Sequence, residues 1–224
     1  MLYRTSQAIH HVWFIDGGVV SASHLLRDGA ELEVALVGSE GMVGALLALE
    51  SPVTPFTWRV CVAGAAIEVT RSDFLKLIEE HPDLRAAVLA FANAFIRQIS
   101  QAGACAARHT ISQRLAHWIL ACHTKAGRHD LEITHHSLAR ALGVRRAGVT
   151  AALHILEGAH AIRSVRGRII LKDVDALRSL SCGCPTEFPE SGGPPRPRVE
   201  AWKLDHPLAT PTAGVLRGAD LARG

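Results

Sequence analysis

The chain has 224 residues, enough for two small domains with cores of their own, and 48% of them are hydrophobic, which excludes an unfolded polar polymer. Its formal charge of +3 is the small difference between 24 basic and 21 acidic side chains, so only local clustering of charge can point to a polyanionic partner. The longest strongly apolar window, Ala86 to Ile96, is too short for a bilayer and is broken by Asn93, and no basic-then-apolar leader precedes it. These features predict a cytoplasmic protein with no membrane partner. Five cysteines in odd number and without framework spacing suit a reducing compartment and predict no structural disulfide.

From Val12 to about Val69 the pattern is short strands between turns. Val12 to Ile15, Val19 to Leu26 and Glu31 to Val37 are separated by Asp16-Gly17-Gly18 and Arg27-Asp28-Gly29. Strands continue through Met42 to Gly44 and Thr57 to Val69, with Pro52 and Pro55 marking a loop, and an antiparallel roll or barrel follows. Ser72 to Glu80 reads as a short capped helix burying Phe74, Leu75 and Ile78. Pro82 opens a long helix to about Ala107. Along it Leu84, Val88, Phe91, Phe95, Gln98, Ala102 and Cys105 alternate spacings of four and three, the seam of a helix packed lengthwise on a partner. A parallel homodimer through Leu84, Val88, Phe91, Phe95 and Ala102 is the economical reading, while packing against the helix's own roll accounts for the same stripe.

After an expected hinge at Arg108 to Thr110, Thr110-Ile-Ser-Gln113 is a capping-box start for a helix that buries Ile111, Leu115, Trp118, Ile119 and Cys122 and ends at Gly127. The functional signal lies next, in ITHHSLARALGVRRAGVTAALHILEGAHAIRSVRGRIIL, residues 133–171. Thr134 caps a first helix burying Leu138, Ala139 and Leu142, and Gly143 ends it with the positive φ that glycine adopts freely. A second helix, Arg145 to Gly158, buries Val149, Ala152, Leu153 and Leu156 and leaves Arg146, Ala147, Thr150, Ala151 and His154 on the opposite face. Arg163 to Leu171 then forms two β-rich segments around a glycine turn. From Thr134 to Lys172 seven basic residues face one acid, Glu157, a surface from which a polyanion would release counterions.

This stretch resembles the winged helix-turn-helix of the bacterial Crp/Fnr transcription regulators, and the likeness extends upstream over roughly Val12 to Leu171. The resemblance implies an α+β fold. Its parts would be a cyclic-nucleotide-binding-like β-roll in residues 1–81, a dimerisation helix in 82–109 and a winged helix-turn-helix in 110–184. The roll of that family has several more strands before Trp13, so here it is either reduced or N-terminally shortened, and an uncovered apolar edge is expected. The implied function is a sequence-specific regulator of transcription, a homodimer on a palindromic duplex, with RNA polymerase as a further partner. Arg145, Arg146, Thr150 and Ala151 would meet base edges, and Thr134, His135, Arg163, Arg166 and Arg168 phosphates. A module with an effector or protein partner and only non-specific DNA binding is the alternative.

The positions that carry the ribose-binding glutamate and the phosphate-binding pair in cyclic-AMP-binding relatives are Ala45 and Pro55-Phe56 here, so no response to cyclic AMP and no cofactor are expected. Arg59 could point either way. The effector is left unassigned. Cys182-x-Cys184 is half a metal site, with Cys122-His123 or His135-His136 as conceivable partners, and two ligands do not close a tetrahedron; no metal is expected. No nucleotide-binding loop, zinc-protease motif or nucleophile elbow marks an enzyme. Beyond Leu180, seven of the ten prolines follow Cys184, and residues 185–224 are expected to be disordered apart from a transient contact by Trp202.

Overall fold

The computed structural model describes residues 1–185 and the strand Thr212–Leu216. The rest of the proline-rich tail, with the contact expected of Trp202, lies outside the described residues. The N-terminal half is built from β1 (His11–Ile15), β2 (Val19–Leu25), β3 (Glu31–Val37), β4 (Met42–Val43), β5 (Thr57–Val62) and β6 (Gly64–Thr70). One antiparallel sheet runs β4-β1-β6 and a second β3-β2-β5. Val12 pairs with Val69 and Ile15 with Ala66, which stacks their apolar side chains on Val20, Val43, Trp58, Ile67 and Phe74 in one core.

The open edges of this roll are covered by chain from both ends. Leu2 donates its N–H to the Trp58 carbonyl and Trp58 returns one to Tyr3, both at 2.9 Å, so the leading segment lies along the free side of β5. The free side of β6 pairs with the strand Thr212–Leu216, with Thr212 opposite Glu68 and Leu216 opposite Gly64. The expectation of disorder is therefore corrected for these five residues. An unpaired row of backbone donors and acceptors is a template for any extended segment, and TAGVL has no proline to stop it.

Helix α1 (Arg71–Glu80) is capped by Thr70, whose hydroxyl accepts from Asp73 N–H at 3.2 Å, and α2 (Pro82–Arg108) carries proline in its first turn. The stripe assigned to a homodimer faces inward instead. Val88 and Phe95 are 3% and 6% exposed, Phe95 stacks on Trp58 with ring centroids 5.6 Å apart, and Leu84 and Phe91 pack on the same core. Gln98, polar within that stripe, donates to the Leu36 carbonyl at 3.0 Å. This corrects the sequence reading: the most apolar stripe of α2 is taken by its own roll.

The second half comprises α3 (Ile111–Ala126), the short strand Asp130–Leu131, α4 (His135–Leu142), α5 (Arg146–Gly158), and the antiparallel pair Ile162–Val165 and Arg168–Leu171, followed by α6 (Val174–Leu180). Its core of Leu115, Ile119, Leu138, Val149, Leu153, Leu156, Ile169 and Leu177 also takes in Val19, Leu36 and Val62 of the roll. The β3-β2-β5 sheet thus packs on both faces, and the first five residues of β2, Val19 to Ser23, are all buried, with serine as their only polar type.

Candidate nucleic-acid interface

The interface is assembled from local rules that the sequence displays. Thr134 accepts the Ser137 N–H at 3.1 Å and starts α4. Gly143 stops it at φ +63°, while Val144 N–H reaches back to the Ala139 carbonyl at 2.9 Å and Arg114 donates to the Leu142 carbonyl at 2.6 Å. The chain therefore reverses over the small Ala139, and α5 crosses α4 on a dry underside: Val149, Leu153 and Leu156 are at most 1% exposed. The face that remains outside presents Arg145, Arg146, Ala147, Ala151 and His154 to solvent.

The wing is held to this helix by Glu157, the lone acid of the segment, whose carboxylate accepts the Ser164 N–H at 2.6 Å. A two-residue turn, Arg166-Gly167, joins its strands, with Val165 opposite Arg168. Arg163, Arg166 and Arg168 are all exposed. Among the described residues no ion pair engages Arg145, Arg146, Arg163 or Arg166. These four exposed guanidinium groups have the charge and planar donor geometry that phosphates and guanine edges accept.

Three of the expected contact residues are otherwise engaged. His135 is half-buried, with Nδ1 3.3 Å from the Thr150 hydroxyl and Nε2 3.4 Å from the Ser164 hydroxyl, so it braces α4, α5 and the wing and does not present a free ring. Thr150 also lies 3.2 Å from the Arg146 carbonyl, which leaves its methyl as its outward chemistry. Arg168 makes a forked pair with Asp130. Sequence spacing places these residues on the right face but does not disclose the neighbours that claim them.

The helical half is also tied to the roll. Glu31 grips Arg59 through two bonds of 2.5 and 2.8 Å and lies 3.7 Å from Arg140 of α4. Trp118 of α3 donates to Glu33 at 2.5 Å, and Lys125 pairs with Glu40. Burial pushes the Glu33 carboxyl up to about 8, against the opposing pull of the Trp118 and Ser21 hydrogen bonds. Arg59 is therefore engaged by Glu31 within the roll. Ala45 is buried, and Phe56 stands edge-on to Phe95 at 5.5 Å.

Sequence reasoning missed two features. On α2 a second stripe, Ala86, Leu89, Asn93, Ile96, Ser100, Gly103 and Ala107, keeps the same alternating spacing and is exposed throughout, Ile96 to 55% and Leu89 to 37%. Its weak hydrophobicity concealed it. Cys105 and His109 come together with Cys182 and Cys184 at the junction of α2 and the segment after α6. Their i, i+4 spacing at a helix end was the available signal.

Residues 113–180 match the model of the Crp-like helix-turn-helix domain. No curated protein sequence matches the chain. Among solved structures, FixK2 from Bradyrhizobium japonicum superposes with a TM-score of 0.64 at 17% identity, over 82% of this chain and 93% of that one. A CRP-family transcriptional regulator from Thermus thermophilus gives 0.61 at 18% identity, over 83% and 97%. The c-di-GMP-responsive global regulator CLP from Xanthomonas campestris gives 0.61 at 16% identity, over 76% and 88%. At these identities the likeness is one of fold, and it spans both halves of the molecule. No helix among the described residues is long and apolar enough to cross a membrane.

Proposed function

We propose that this chain, which carries a Crp-like helix-turn-helix domain on the fold of the Crp/Fnr regulators, is a sequence-specific regulator of transcription that works as a homodimer in the cytoplasm. The carrying observation is the exposed Arg145 and Arg146 at the start of α5, without an ion pair among the described residues, above a fully buried Val149 and Leu153. A helix so mounted enters a major groove with its N-terminal residues against base edges. Arg146 pairs bidentately with a guanine, Arg145 adds a base or phosphate contact, and Ala151 and the Thr150 methyl meet thymine methyls. Arg163 and Arg166 contact the flanking phosphates, and Thr134 stands beside them with its hydroxyl already committed to its cap.

The second copy docks along Ala86, Leu89, Asn93, Ile96, Ser100, Gly103 and Ala107 of α2. The small residues permit close approach, the Ser100 hydroxyl already bonds the Ile96 carbonyl at 3.0 Å, and Asn93 offers a polar register pin. Half-sites then lie about 34 Å apart. The ion-paired Arg59, buried Ala45 and packed Phe56 support a roll that does not respond to cyclic AMP. RNA polymerase remains the partner that the regulator fold suggests, and nothing in the site supports catalysis.

The test is in vitro selection of duplex DNA by the purified chain at two salt concentrations. A palindrome whose half-sites are one helical turn apart is the expected product. Affinity that depends on salt but not on sequence would overturn specific recognition and leave a non-specific binder or interaction module.

A further inference from the structure

Four side chains that the DNA-binding surface does not use meet where α2 joins the helical half. Cys105 and His109 are one turn apart at the end of α2, where the His109 N–H closes the last helical bond on the Cys105 carbonyl at 3.0 Å. Cys182 and Cys184 follow α6, and Gly183 between them sits at φ +66°, which folds the chain back on itself. One ligand atom from each of the four lies within 4.8 Å of all the others.

That spacing is close to what a single tetrahedral ion needs. Zinc–sulfur bonds near 2.3 Å put neighbouring sulfurs about 3.8 Å apart, so closure asks each pair to move by about 1 Å or less. Among the described residues His109 Nδ1 is buried without a hydrogen-bond partner, a condition that folded proteins avoid unless another group takes the lone pair. Gln101 donates to Cys105 Sγ at 3.3 Å, an orientation that suits a thiolate. Arg114 lines the same cavity of about 90 Å³ as Cys105 and Cys182, bringing a cation to a place where three thiolates around a divalent ion would leave negative charge.

We infer that Cys105, His109, Cys182 and Cys184 bind one structural zinc ion that fastens the end of α2 to the end of the winged domain. Three soft sulfurs and an imidazole select zinc over magnesium or calcium, and four protein ligands leave no open position for a reacting water. The ion brackets the expected hinge at Arg108 to Thr110. With metal bound, the orientation of the helical half relative to α2 is fixed from two sides, by the shared core and by the clamp.

The full chain, purified under reductant without chelator, should carry close to one zinc per chain by elemental analysis. Cobalt substitution should produce the intense visible bands and sulfur-to-metal charge transfer of a thiolate-rich tetrahedral site. The C182S/C184S double variant changes residues beyond α6, so it should fold, lose both signals and lose the zinc-dependent rise in Tm expected of the unaltered chain. Cys61→Ala, at a half-buried thiol outside the cluster, should keep all three, and His109→Cys should retain the tetrahedral spectrum. A folded, reduced chain without zinc and with a weak octahedral cobalt spectrum overturns the inference. So does a double variant that still holds its zinc, or a disulfide among these cysteines in the reduced protein. None of these measurements involves DNA, so their outcome is independent of the proposed function.

Discussion

Arg166 and Arg168 stand two positions apart on the wing and differ in what each already touches. Arg166 is at the hairpin tip and makes no ion pair among the described residues, whereas Arg168 forks onto Asp130. A phosphate can take Arg166 directly but must displace or share a carboxylate at Arg168. Arg166→Ala should therefore lower the slope of log affinity against log salt by about one, and Arg168→Ala by less, as read by fluorescence anisotropy on any duplex. Arg146→Ala should behave differently, costing about 1–3 kcal/mol on the selected site and relaxing preference at one base pair. Equal losses on selected and random DNA would rule out base reading by Arg146.

At the scale of an element, α2 carries two stripes of the same spacing on different sides. The stripe through Val88 and Phe95 is the more apolar and is legible from sequence; what claims it is not, because a heptad records only that a face is covered. The roll is nearer than any partner and fills that face with Trp58, Phe56 and β3. The weaker stripe through Leu89 and Ile96 stays exposed and is the surface proposed for a second copy. Ile96→Asp should raise the dimer dissociation constant at least about tenfold, since burial of an isoleucine contributes roughly 1.5–3 kcal/mol, and should leave the thermal unfolding of the roll nearly unchanged. Sedimentation velocity checks the first effect. Phe95→Ala should do the opposite, destabilising the roll by about 3–5 kcal/mol.

Across the whole molecule the two halves share a core, and the polar groups within their boundary set how firmly they hold. Half-buried Glu33 accepts the Trp118 indole N–H there, and desolvation raises its carboxyl to about 8 from an ordinary value of 4.5. Between those values the folded chain holds a proton that the unfolded chain releases. The contribution of Glu33 is therefore intact below about pH 4.5 and is lost as pH rises toward 8. Each unit of pH in that window removes at most about 1.4 kcal/mol. Glu33→Gln keeps an oxygen for the Trp118 N–H without a titrating proton. Denaturant unfolding across this range should show the variant gaining on the parent chain as pH rises; parallel curves would mean that Glu33 does not titrate there.

By itself the amino-acid sequence determined what rests on neighbours in the chain. That covers the strand and helix pattern, the caps at Thr134 and Gly143, and the outward set of Arg145 and Arg146, because turn chemistry and helical periodicity act within a few residues. The tertiary structure alone decided which stripe of α2 meets the roll, which arginines keep a free guanidinium, and that Cys105 and His109 find Cys182 and Cys184. Each of these depends on residues far apart in sequence, brought together only once apolar faces have chosen their partners.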